Sequence, residues 1–171
     1  MSETPSYLAP PHTEVTYLTA DEVPTVVRVA EEVAPHEMGG IYDETFSALG
    51  PELETRGVTV AGPALALHHR LPGATMTFDV GFPVAEPLDG GNLEAGGIEF
   101  VASRLPAGRI ATVSHLGAYD GLPRAWQDFM AQIVADGHET QLPFWEVYVT
   151  QPGPDVDPST LRTDLVTLLA D

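Results

Sequence analysis

One order of elements occurs twice along this chain, and that duplication limits the folds open to it more than any other feature. The run TVVRVAEEV (25–33) has the β-branched character of a strand. Gly39 and Gly40 separate it from IYDETFSALGPELETRG, where Ile41, Phe46, Leu49 and Leu53 recur at helical spacing. Pro51 opens a second helical turn or kinks the segment, and Gly57 closes it. Two strands follow, PALALHHRLPG (63–73) and TMTFDVGFPV (75–84). In the latter Met76, Phe78, Val80 and Phe82 alternate with Thr77, Asp79 and Gly81, the period of a sheet with two unlike faces.

The second half repeats the order. IEFVASRLPAGRIATVSHLG (98–117) reads as two strands around the turn from Pro106 to Gly108. AYDGLPRAWQDFMAQIVADG (118–137) reads as a helix with Trp126, Phe129, Met130 and Ile133 as its inward stripe and Gly137 at its end. The strands PFWEVYVTQP (143–152) and LRTDLVTLLA (161–170) complete it. Aligned, Tyr42 matches Tyr119, Pro63 matches Pro143, Ala66 matches Glu146 and His68 matches Tyr148. The expected fold is α+β: one domain over 1–171, built as tandem, pseudo-twofold βαββ repeats with antiparallel sheets, helices on one face and a cleft between the halves. The first half spans about 23–85, the glycine-rich linker 86–97, and the second half about 98–170. Residues 1–22 are polar and proline-bearing, with a short strand at Val15 to Leu18.

Within PFWEVYVTQP, Phe144, Glu146 and Tyr148 share one side and Trp145, Val147 and Val149 the other. The wholly apolar second set is expected to pack against the helix bearing Trp126. Glu146 then lies between two aromatic rings on the opposite face, near the seam of the halves. Dehydrating a carboxylate without a partner is costly. Relief is available from Arg70 or Arg109, from tyrosine hydroxyls, or from a bound cation; a solvated outward position is the bland alternative. Ala64, Ala66 and His68 on the matching face of the first half leave volume for a ligand, and aromatic walls attract cations.

Composition narrows the partners. Seven arginines and no lysine against 25 Asp and Glu give a formal charge of -18. Such a field repels phosphate backbones and anionic membranes and attracts cations, which argues against direct nucleic-acid or membrane binding. With no cysteine, thiolate metal sites and thiol nucleophiles are excluded. No stretch approaches the roughly 20 apolar residues of a membrane span, and no signal peptide opens the chain, so a cytoplasmic location is expected.

Gly117 and Tyr119 before the second helix, Trp126 within it, and the Pro-x-x-Glu-x-Tyr strand formed by Pro143, Glu146 and Tyr148 resemble the GyrI-like small-molecule-binding domains. Domains of this family also form the effector-binding part of multidrug-sensing regulators of the BmrR and AraC types. The resemblance runs from about Val15 to Leu169. It implies a stand-alone binding protein that takes lipophilic, often cationic or aromatic, compounds in a cleft centred on Glu146, with Tyr148, Phe144, His68 and Tyr119 as further contacts. Two alternatives follow from the same resemblance. One is hydrolysis of strained cyclopropane-bearing compounds, with Glu146 as general base assisted by Tyr148 or Tyr119. The other is a protein that binds DNA gyrase or another regulator and modulates it. No cofactor is implied.

The remaining histidines give no metal site. His68 and His69 are adjacent, so in a strand they point to opposite faces, and His36 with Glu37 lacks the zinc-hydrolase spacing. His115 is placed to cap the Gly117 turn or orient Tyr119. Asp164 faces opposite Leu165, so one of the two is expected to be solvent-exposed or cleft-facing; Asp164 is expected to cap or pair with Arg162.

Overall fold

The structure, a computed structural model, describes residues 11–70, 73–150 and 156–170. The expected polar leader before Pro11 and the ends of the 63–73 and 143–152 strands at Leu71, Pro72, Gln151 and Pro152 lie outside the described residues, as does most of the Pro/Asp loop before Ser159. The chain forms two compact units, Glu22–Pro106 and Met1–Asp21 with Ala107–Asp171.

The Glu22–Pro106 unit contains strands β2 (Val23–Val33), β3 (Leu65–His68), β4 (Met76–Pro83), β5 (Asn92–Ala95) and β6 (Ile98–Leu105), with helix α1 (Met38–Thr55). The strands order as β3-β4-β2-β6-β5, every pair antiparallel. The alternation in β4 acts as expected: Phe78 and Phe82 meet Tyr42 and Phe46 of α1, with ring centroids 5.7 Å apart in both pairs. Pro51 is accommodated inside α1.

The other unit contains β1 (Thr16–Ala20), β7 (Gly108–Leu116), β8 (Thr140–Tyr148) and β9 (Arg162–Leu169), with α2 (Leu122–Ala135). Its order is β1-β7-β9-β8, again antiparallel throughout. Phe129 and Ile133 of α2 pack on Ala111, Leu165 and Leu169, with Val113, Trp126 and Met130 partly buried around them. The α+β class and the repeated βαββ order are therefore present: β2-α1-β3-β4 and β7-α2-β8-β9 share one internal arrangement, the fourth strand lying between the third and the first. Both helices also stop alike. Gly57 and Gly137 take φ of +71° and +86°, and the following amides of Val58 and His138 bond back to Leu53 and Ile133 at 2.9 and 3.1 Å.

The stretch 86–97, read from sequence as a connector, carries β5, and β6 pairs with β2. The two strands on either side of Pro106 and Gly108 therefore belong to different units. Glycine density signalled turns correctly, since Gly90, Gly91, Gly96 and Gly97 all have positive φ, but these turns flank a strand. Strand partners are set by long-range pairing, which local composition does not encode.

Gly81 is the position where close backbone approach forbids a side chain. A Cβ there would run into the carbonyl oxygen of Val26 and sit 2.8 Å from Val27 Cα. Gly81→Ala is expected to cost about 3 kcal/mol, the upper part of the usual overpacking range, whereas Gly40→Ala, with nothing within 4 Å in α1, should stabilise by about 0.5 kcal/mol. Urea denaturation of both variants checks the contrast; a neutral Gly81→Ala would contradict the β2–β4 packing.

Candidate functional site

Strand β8 is buried on both of its faces, which is why its alternation alone did not say which face meets the helix. Phe144, Glu146 and Tyr148 are buried, and so are Trp145 and Val147. The expectation that Trp145, Val147 and Val149 pack against α2 is corrected by the ring contacts. Trp126 of α2 stands edge-on to Phe144 at 4.9 Å, and Tyr119, just ahead of α2, stands edge-on to Tyr148 at 6.0 Å. The helix side of β8 is thus the side of Phe144, Glu146 and Tyr148. Register confirms it: these three pair with Thr167, Leu165 and Thr163 of β9, and Leu165 belongs to the cluster under α2. Trp145 and Val147 share the opposite face with Asp164 and Val166 of β9.

Glu146 therefore sits under the first turns of α2, 8 % exposed, among Trp126, Phe144, Tyr119 and Tyr148. Burial pushes its carboxyl up to about 7, and the donor groups of the Trp126 indole and the Tyr148 hydroxyl near it offset only part of that. Of the three reliefs considered from sequence, tyrosine is the one present; the indole N–H was not anticipated. Arg70 is engaged with Glu32 and Thr75 at 3.0 and 3.1 Å, and Arg109 is exposed on β7. Relief is incomplete, because Glu146 Oε2 is buried without a hydrogen-bond partner. Burial, and then the neighbouring Glu146 charge, holds the Tyr119 phenol above its usual range. His115 donates from Nε2 to the Ala118 carbonyl oxygen at 3.0 Å, and so supports the loop that presents Tyr119.

Four of the five residues predicted from sequence, Glu146, Tyr148, Phe144 and Tyr119, thus come together on one face. Trp126 joins them as a polar partner rather than only a core ring. His68 lies in the other unit, on the side of its sheet that faces α1, with its ring 5.4 Å from Phe78. Burial and the adjacent His69 depress its imidazole to about 4. His69 points the other way and bonds Asp79 at 2.8 Å, as alternation requires.

In β9, Asp164 on the far face and Leu165 on the side of α2 are both buried, so neither is solvent-exposed, and Leu165 is the one on the face of Glu146. Asp164 does pair with Arg162, through Nε at 3.0 Å and a second guanidinium nitrogen at 3.1 Å, and accepts from Ser114 Oγ at 2.7 Å. Ser114 Oγ in turn accepts from the His12 amide at 3.0 Å. A hollow of about 630 Å³, whose walls include Val15, Val113, His115, Asp128 and Phe129, was not anticipated from sequence. Among the described residues no three His, Asp or Glu side chains are grouped to hold a metal ion, and no helix is long and apolar enough to cross a membrane.

Residues 16–169 match the GyrI-like small molecule binding domain family, and the chain belongs to that family. No curated protein sequence matches the chain. Among solved structures it is similar to the EcmrR C-terminal domain, with a TM-score of 0.73 and 17% identity over 92% of this chain and 98% of that one. The chain spans 57% of EcmrR as seen in its complex with DNA. It is similar in fold to SAV2435 bound to tetraphenylphosphonium, with a TM-score of 0.64 and 12% identity over 92% of this chain and 94% of that one. A hydrolase from Listeria innocua has a TM-score of 0.61 and 10% identity, covering 95% of both chains.

The raised Glu146 pKa fixes a sign for stability against pH. The unfolded carboxyl releases its proton near 4.5, while the folded one keeps it to about 7, so folded stability falls as pH rises through that window. At about 1.4 kcal/mol per unit the full loss is on the order of 3 kcal/mol. His68 acts oppositely, costing stability as pH falls below its ordinary 6.5 toward about 4. Glu146→Gln should therefore exceed the wild type in urea midpoint at about pH 8 and lose that advantage at about pH 5. Equal midpoints for the two proteins at the higher pH would mean that the carboxylate is not dehydrated.

Proposed function

We propose that this protein binds lipophilic, often cationic or aromatic, small molecules at the Glu146 face of β8. Glu146 supplies the counter-charge, Trp126, Phe144 and Tyr119 supply ring surface, and Tyr148 orients the carboxylate. The single observation that carries the reading is the orphaned Oε2 of a buried carboxylate beneath aromatic rings. A carboxylate so placed is under-solvated, and a cation entering between the rings recovers both Coulomb and cation–π attraction. Membership of a small-molecule-binding family and the fold shared with a protein bound to tetraphenylphosphonium support it.

Because a cation selects the ionised form, its affinity should rise with pH up to about 7 and then level off. Fluorescence titration with a rhodamine-type dye tests this. Glu146→Gln should weaken binding roughly tenfold, the scale of one charged hydrogen bond, and flatten the pH profile. Equal affinities for the two proteins would remove the charge from the account.

A second reading rests on the same pKa. A carboxylate with a pKa of about 7 is suited to accept a proton from water at neutral pH, and in this reading the neighbouring Tyr148 and Tyr119 hydroxyls donate to developing negative charge. In this reading Glu146 is the general base in opening a strained cyclopropane: water adds one carbon–oxygen bond as the ring carbon–carbon bond breaks, and the proton ends on the leaving carbon or its conjugated oxygen. Mass spectrometry of such a compound incubated with the protein should show a gain of one water that Glu146→Gln abolishes. Bound but unchanged compound would leave the binding reading alone.

A further inference from the structure

Five buried side-chain polar atoms among the described residues have no hydrogen-bond partner: Thr45 Oγ1, Asp79 Oδ1, Trp145 Nε1, Glu146 Oε2 and Thr163 Oγ1. Only the last two lie on one face of adjacent strands. Thr163 stands directly opposite Tyr148 in the β8–β9 ladder, and Glu146 opposite Leu165, so Thr163 is the diagonal neighbour of Glu146 on the side facing α2. Such diagonal pairs hold their Cβ atoms somewhat under about 7–8 Å apart. Thr163 is fully buried, and buried hydroxyls are as a rule satisfied, so two unpartnered oxygens on one face are open to bonding by a ligand's polar group.

The chemistry of the two atoms says what that group is. Glu146 Oε2 accepts when ionised, and Thr163 Oγ1 offers two acceptor lone pairs beside its one O–H donor. A group that bonds both oxygens through their lone pairs carries at least two hydrogen-bond donors. A quaternary ammonium or a tetraaryl phosphonium carries none and leaves both acceptors unpaired, which is costly in a dry site.

We infer that Thr163 is a ligand-contacting, specificity-determining residue, and that the Glu146 site prefers cations bearing at least two N–H bonds, of the primary ammonium or amidinium class, over permanently charged cations without N–H. One N–H goes to Glu146 Oε2 and the second to Thr163 Oγ1, while the aromatic body of the ligand meets Trp126 and Phe144. The inference rests on the reading of the Glu146 face as the ligand site and adds the chemical class that this site selects.

The test is calorimetric titration of the full chain at about pH 8, where Glu146 is ionised. The probes are 4-phenylbenzylamine, its N,N,N-trimethyl derivative and tetraphenylphosphonium. The wild type is expected to bind the primary amine about tenfold tighter than its trimethyl derivative, the scale of one charge-assisted hydrogen bond. Thr163→Val, which keeps shape and burial, should erase most of that preference and leave the trimethyl and phosphonium affinities unchanged; Thr163→Ser should restore it. Glu146→Gln should weaken all three probes. Wild-type affinity for the trimethyl derivative equal to or above that for the amine would overturn the inference, as would a Thr163→Val loss shared equally by all probes. Should none of the three cations bind the wild type, the underlying reading of the site falls, and the inference with it.

Discussion

Dehydration of one carboxylate organises this protein's chemistry. Glu146 occupies a strand position that is dry on both faces of the sheet, where an ionised group is tolerated only if donors come to it. The fold brings two, an indole from α2 and a phenol from the same strand, and stops there. The carboxyl is left between protonated and ionised at neutral pH. A fully satisfied carboxylate would be structural, as Asp164 is with its Arg162 and Ser114 partners on the other face of the same sheet. The two acidic residues lie close together in one ladder and differ in how completely their oxygens are paired.

That contrast depends on the helix. Helix α2 carries an apolar stripe that seals Ile133 and Phe129 onto Leu165 and Leu169, and the same seal fixes where its N-terminal turns, with Trp126, come down on β8. Tyr119 is delivered by the short turn before the helix, which His115 holds through the Ala118 carbonyl. The other unit has the same strand order and the same glycine helix stop, yet its corresponding strand carries Ala66 where β8 carries Glu146, and His68 where β8 carries Tyr148. One architecture thus supports a charged face in one unit and a histidine held neutral by burial in the other.

The sequence made much of this legible. Alternation in PFWEVYV put Phe144, Glu146 and Tyr148 on one side, and they are on one side. The helix stripe of Trp126, Phe129, Met130 and Ile133 is the stripe that packs. What misled was the assumption that the most apolar face of a strand must be the one under the helix. That rule works for a sheet with one wet face; β8 has none from Phe144 to Tyr148, so polarity no longer indicates direction there. The role of Trp126 was missed for the same reason: placing it in the core stripe hid the fact that its N–H needs a polar neighbour, and that neighbour is Glu146. Thr163 gave no local signal, because a threonine in a strand is ordinary and only its neighbour across the ladder makes its hydroxyl notable.

By itself, then, the sequence determined the repeated βαββ order, the glycine stops of the helices and the facing of residues along each strand, because these follow from periodicities of two and 3.6 and from glycine backbones read over a few residues. Only the tertiary structure decided which face of β8 lies beneath α2, that β6 belongs beside β2 and β1 beside β7, and that Glu146 meets Trp126 and stands diagonal to Thr163. Those depend on pairing and register between segments far apart in the chain, where the free energy comes from burying surfaces jointly, and no local window contains both partners.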